Sequence, residues 1–157
     1  MPRAVSVWQV ELGKPEGPEE VRGTLELSHR DLIFTPRDET RPTVKIPLDE
    51  IAKAKRLRGS PVLMVLRETA AGLERTAFYF AQPPPIAALR GVPVERRTGI
   101  AVFRNPKRQA RRDNISYLGL MNRDNKAALK EWVRAVDAAV TRARDGASRE
   151  AEGEAGS

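Results

Sequence analysis

The sequence predicts a mainly β domain: a bent antiparallel sandwich or barrel of about seven short strands, closed by one C-terminal amphipathic helix. Three observations carry that reading. From residue 5 to residue 82, apolar residues recur with period two in short runs broken by turn residues. The alternation stops at Pro83-Pro84-Pro85, which cannot continue a ladder. Beyond it, Leu129, Trp132, Val133, Val136 and Val140 recur at spacings of three and four, one apolar stripe on a helix.

Val5-Ser6-Val7-Trp8-Gln9-Val10 alternates as a half-buried strand does, and Lys14-Pro15-Glu16-Gly17-Pro18 is a loop. Gly23–Leu27 resumes the alternation, Ser28-His29-Arg30-Asp31 turns the chain, and Leu32-Ile33-Phe34 returns. Val44, Ile46 and Leu48 share one parity and hence one sheet face. In the run from Ala52 to Arg58, Lys53 and Lys55 point outward and Ala54 inward. Gly59-Ser60-Pro61 turns the chain into Val62–Arg67, and Ala70-Ala71-Gly72 turns it into Arg75–Phe80. Val92, Val94, Ile100 and Val102 fit one or two further strands. Asn105-Pro106 reads as a helix start, an Asn cap before a proline whose missing N–H is harmless in the first turn. That helix is expected over Lys107–Leu118, with Gly119 closing it. A separate last helix is capped by Asn122 or Asp124.

The chain has 157 residues, the size of one domain able to bury a core without disulfides or metals. We expect that domain over residues 1–145, with 83–122 as an insert and the small, polar 146–157 as a disordered tail. There is no cysteine. That excludes disulfides, thiolate metal sites and thiol catalysis, and fits a reducing compartment. The longest aliphatic run, Val62–Leu66, is far too short to span a membrane, and the N-terminus has no secretory pattern. The expected location is the cytoplasm, with visits to a membrane surface. The lone histidine, His29, sits in a turn beside Asp31 and has no partner for a metal site or a nucleophile. No phosphate loop or dinucleotide fingerprint is present. No catalytic residue, metal or cofactor is therefore assigned.

Charge is the functional signal. The net charge is +7, and most of the excess lies in residues 83–122. There Arg90, Arg96, Arg97, Arg104, Lys107, Arg108, Arg111 and Arg112 face only Glu95 and Asp113. The first 82 residues hold 13 basic and 12 acidic side chains. Positive charge gathered in one insert presents a surface to something negative. On the expected basic helix, Lys107, Arg111, Arg108 and Arg112 fall at about 0°, 40°, 100° and 140°, one broad face, leaving Tyr117 and Leu118 to dock. Lys53, Lys55, Arg56 and Arg58 form a second basic cluster. The competing reading of both clusters is ordinary solvated charge in an arginine-rich composition.

Strands followed by one terminal helix with a central tryptophan resemble the pleckstrin-homology-like superfold, including its GRAM-type domains. Gly23–Leu27 with Leu32–Phe34 matches an early hairpin, and Val44–Ile51 a strand ending in an acidic turn. Phe78-Tyr79-Phe80 matches the last strand, and Leu129–Val140 around Trp132 the plug. The resemblance covers residues 20–82 and 123–145. It implies a bent seven-stranded sandwich with one end plugged by the helix, and a binding or adaptor role without catalysis. Two features depart from it: the long insert, and a first hairpin loop, Ser28–Asp31, with one Arg beside one Asp where lipid-binding members carry a cationic run.

The expected function is docking on an anionic membrane surface or an acidic protein partner. Arg108, Arg111 and Arg112 carry the contacts, and Arg96, Arg97, Arg104 and Lys107 assist. Nucleic-acid binding through the same helix is the alternative; it lacks aromatics interleaved with the cations and any groove-reading motif. A further alternative is self-association with no external ligand.

Overall fold

The computed structural model describes residues 4–12, 19–83 and 106–154. Seven strands follow in order: β1 Val5–Leu12, β2 Glu20–Leu27, β3 Asp31–Pro36, β4 Val44–Pro47, β5 Ile51–Arg56, β6 Val62–Thr69 and β7 Gly72–Tyr79. A single 3-10 turn, Leu48–Glu50, separates β4 from β5, and one helix, α1, spans Pro106–Glu154.

All seven strands belong to one antiparallel sheet of order β4-β3-β2-β1-β7-β6-β5. The first strand is central: β1 pairs β2 on one side (Val7 opposite Gly23) and β7 on the other (Gln9 opposite Phe78). The two edges, β4 and β5, are consecutive in the chain and joined by the three residues Leu48–Glu50. Laid flat, seven strands would separate those edges by about 29 Å. The connection reaches at most about 14 Å. The sheet must therefore curl until its edges approach. It stays open, with β4 and β5 as edges, so the sandwich or barrel expected from the sequence takes the form of one curled, open sheet.

The curl has an apolar interior. Val7, Leu25, Leu32, Phe34, Ile46, Leu48, Ile51, Leu63, Val65 and Phe78 are buried there, with the Phe34 and Phe78 rings tilted against each other at 5.9 Å. The outer face of β1, β6 and β7 carries a smaller cluster of Val10, Val62, Met64 and Ala77, flanked by Leu57, Leu66 and Tyr79. Burial and then the Glu20 carboxylate hold the Tyr79 phenol above its usual pKa.

The helix closes the interior. Leu129, Trp132, Val136, Ala139 and Val140 are buried against the sheet's core, with Val133 and Ala143 packed beside them. Trp132 stands edge-on to Phe80 with centroids 6.2 Å apart. The contacts of α1 are with β5, the 3-10 turn and β6, where the sheet edge opens. Arg144 Nη2 donates to the Ile51 carbonyl at 2.7 Å, which satisfies an acceptor on edge strand β5. Arg67 Nε donates to Glu50 Oε2 at 2.6 Å and ties the 3-10 turn to β6.

Three sequence expectations need correction. The separate basic helix over Lys107–Leu118 is absent as such, since Pro106 to Glu154 is one helix of 49 residues. Gly119 does not close it: one helical glycine costs only about 1 kcal/mol, and its neighbours Leu118, Leu120 and Met121 are good helix formers. Asn122 and Asp124 accordingly lie inside the helix and cap nothing. The tail expected to be disordered from Gly146 is helical to Glu154. Its Ala, Arg and Glu residues favour helix, and Ser148 Oγ donates back to the Arg144 carbonyl at 3.0 Å. The extra strands around Val92–Val102 fall outside the described residues.

Candidate functional site

Taking Leu129 as 0° and about 100° per residue, the docked stripe of α1 occupies a narrow arc. Trp132, Val133, Val136, Ala139, Val140 and Ala143 all fall between about −80° and +40°. Lys126, Lys130, Arg123 and Arg134 fall together at about 60° to 140°, beside that stripe. Asp124 and Glu131 lie on the far side, near about 200° to 220°. Between Arg123 and Arg134 the helix thus separates three faces: apolar inward, cationic to one flank, acidic to the back. Arg123, Lys126, Lys130 and Arg134 are exposed. These four span about 16 Å of helix axis.

The predicted insert cations meet this stripe unevenly. Arg108 and Arg112 occupy backbone positions at the same azimuth, about 60° and 100°, so they extend it toward the helix start. Lys107 and Arg111 fall in line with Leu129 and Val136. Arg96, Arg97 and Arg104 lie outside the described residues. No acidic residue occupies the first turn of α1. That turn carries Lys107 and Arg108 instead, where the helix dipole favours anions. Residues 106–134 hold eight cations against three acids, and residues 135–154 three against five. The helix is therefore charged against its own dipole at both ends.

The second predicted cluster lies on edge strand β5. Lys53 and Lys55 are exposed and Ala54 is buried between them, as the alternation requires. Their register partners are Leu66 and Met64, so they belong to the sheet's outer face. A bulge between Ile51 and Lys53 shifts the strand there. Arg56 is half-buried and Arg58 exposed.

Lys53 also reaches the helix electrostatically. Partial burial raises the Asp137 carboxyl above its usual pKa, and the nearby Lys53 charge pulls it back part of the way. Asp137 lies at about 80°, on the flank that carries Lys130 and Arg134. A raised carboxyl pKa means the folded chain binds that proton more tightly than the unfolded one. Its stabilising effect is complete below the ordinary carboxylate pKa and fades as pH rises through the folded value. Asp137→Asn is therefore expected to raise the melting temperature at pH 7, with the gain vanishing below about pH 3. Thermal melts of both proteins at the two pH values check this; an Asn variant less stable at neutral pH contradicts it.

Sequence reasoning missed two features. One is the continuity of the Arg123–Arg134 stripe: Lys126, Lys130 and Arg134 read as the solvated face of the expected last helix, and only the undivided helix lines them up with Arg108 and Arg112. The other is a shallow, open depression lined by Glu20, Val21, Arg22, Arg37, Asp38 and Arg41. Its charges are largely matched. Arg41 pairs with Glu19 and, at 3.5 Å, with Asp38. The Thr40 hydroxyl and backbone N–H donate to Asp38 and hold its carboxyl below the usual range. Arg22 stacks over Trp8 at 5.2 Å from the ring centroid. Those residues are far apart in sequence or interleaved with acids, so no run of charge marks them.

No helix among the described residues is long and apolar enough to cross a membrane. The chain matches no protein-family model, and no curated protein is significantly similar to it in sequence.

Proposed function

We propose that this chain is a non-enzymatic, pleckstrin-homology-like binding module that docks on an anionic membrane surface or an acidic partner protein. The likeness is supported by the seven-stranded antiparallel order and by a terminal helix seated where the curled sheet opens. The docking role rests on one observation above the others: residues 106–134 hold eight cations against three acids, beginning in a first turn, with Lys107 and Arg108, where the helix dipole favours acids. Such a distribution stabilises nothing within the helix. An external polyanion would turn that unfavourable charge into binding energy, since each cation near an anionic bilayer contributes about 1 kcal/mol. Arg108, Arg111 and Arg112 carry the contacts, and Arg96, Arg97, Arg104 and Lys107 assist.

The test is vesicle co-sedimentation at low and high salt, with duplex DNA binding measured beside it. Wild type is expected on phosphatidylserine vesicles and absent from neutral phosphatidylcholine vesicles, with binding lost at high salt. Reversing three charges in Arg108→Glu/Arg111→Glu/Arg112→Glu should weaken vesicle binding by more than about a hundredfold. A triple variant that binds as wild type does removes the insert from the site. Preference for DNA over vesicles replaces the partner.

A further inference from the structure

We propose that the docking surface is larger than the insert: Arg123, Lys126, Lys130 and Arg134 on α1, with Lys53 and Lys55 on β5, form one flat cationic face for an anionic lipid bilayer. This rests on the anionic-surface reading above, but it assigns different residues and commits to one partner. All six side chains are exposed, so none of these cations contributes to the core.

The two elements are held side by side. The helix packs along β5, and Arg144 fixes it to the Ile51 carbonyl at 2.7 Å. Lys53, two residues along that strand, lies within electrostatic reach of Asp137. Asp137 is one turn beyond Arg134 on the same flank, so the β5 lysines continue the helical stripe. Asp137 is the acid within the face, and Lys53 offsets it.

The chemistry of the face selects a bilayer. A protein interface draws its affinity from buried aromatic or large apolar anchors. Among the described residues the exposed large hydrophobics are Leu12 and Leu73, neither on α1 nor on β5, so this flank offers no such anchor. An anionic bilayer needs only charge spread over a plane.

The test uses the full chain. Lys126→Ala/Lys130→Ala/Arg134→Ala alters exposed residues of a helix and should melt as wild type does. It is expected to weaken binding to phosphatidylserine vesicles by about a hundredfold, and Lys53→Ala/Lys55→Ala by about twentyfold, from roughly fivefold per cation. Because the chain has no cysteine, a single Ala127→Cys variant takes an environment-sensitive fluorophore at one place. That label should shift to the blue on anionic vesicles, while one at Thr43→Cys stays unchanged. Full vesicle binding by both alanine variants, alongside loss in Arg108→Glu/Arg111→Glu/Arg112→Glu, overturns the extended face and leaves the general reading intact. A wild type that ignores anionic vesicles overturns the bilayer face and leaves the general reading only its acidic-protein arm, while binding to duplex DNA alone overturns both.

Discussion

Trp132→Ala is expected to lower the unfolding free energy by about 3–5 kcal/mol, the range for deleting a large buried aromatic. Domains of this kind hold about 5–15 kcal/mol in all, so the loss is a large share. The reason is positional. Trp132 is 3 % exposed and meets Phe80 edge-on at the end of β7. It lies in the middle of the stripe from Leu129 to Val140, which covers the opening between the sheet's edges. Removing the indole leaves a cavity under the helix that two fixed elements cannot close. Urea denaturation followed by circular dichroism is the suitable measurement, because Trp8 complicates fluorescence. Trp132→Phe should recover much of the loss by keeping a ring against Phe80. A midpoint for the alanine variant equal to wild type would mean that the helix does not plug the sheet.

The strands were legible because their burial alternates. Val5–Val10, Gly23–Leu27 and Val62–Arg67 each show the period of two that one covered face imposes, and Leu129–Val140 shows the helical stripe. The order of the strands was not legible. Nothing in Val5–Leu12 says that it sits centrally between β2 and β7, because pairing is decided by long-range packing that period two leaves open. Nor did the local signals at Gly119 and Gly146 carry. A glycine marks a helix end only when the chain must reverse there, and a continuing run of helix formers on both sides outweighs its cost of about 1 kcal/mol. That misreading is what hid the alignment of the Arg123–Arg134 stripe with Arg108 and Arg112. A face becomes visible only when the length of its helix is known, since azimuth accumulates over every residue. The excess charge in the insert, by contrast, was plain from counting, and the azimuths of Arg108 and Arg112 now join it to the exposed stripe.

Gly23→Ala is expected to be comparable in damage to the loss of Trp132, though it adds a single methyl group. Gly23 sits within β2 at an ordinary strand position opposite Val7 and Pro36, so its backbone needs no special freedom. Space is what it lacks. A Cβ there would fall on the Thr35 carbonyl oxygen and lie 2.6 Å from Phe34 Cζ and 2.7 Å from Cε2. The oxygen is backbone of the neighbouring strand β3 and cannot rotate away. The ring is 1 % exposed and held against Phe78, so it cannot swing out without opening the core. Overpacking typically costs about 1–3 kcal/mol where side chains can give. Here a ladder must spread as well, and the cost should reach about 3 kcal/mol or more. Shrinking the ring separates the two obstacles. Phe34→Leu should relieve part of the penalty, so the double variant should be more stable than the sum of the single losses predicts. If the two effects simply add, the ring is not the obstacle and the ladder alone bears the strain. A Gly23→Ala protein that melts with wild type would show that β2 and β3 do not approach as closely as this packing requires.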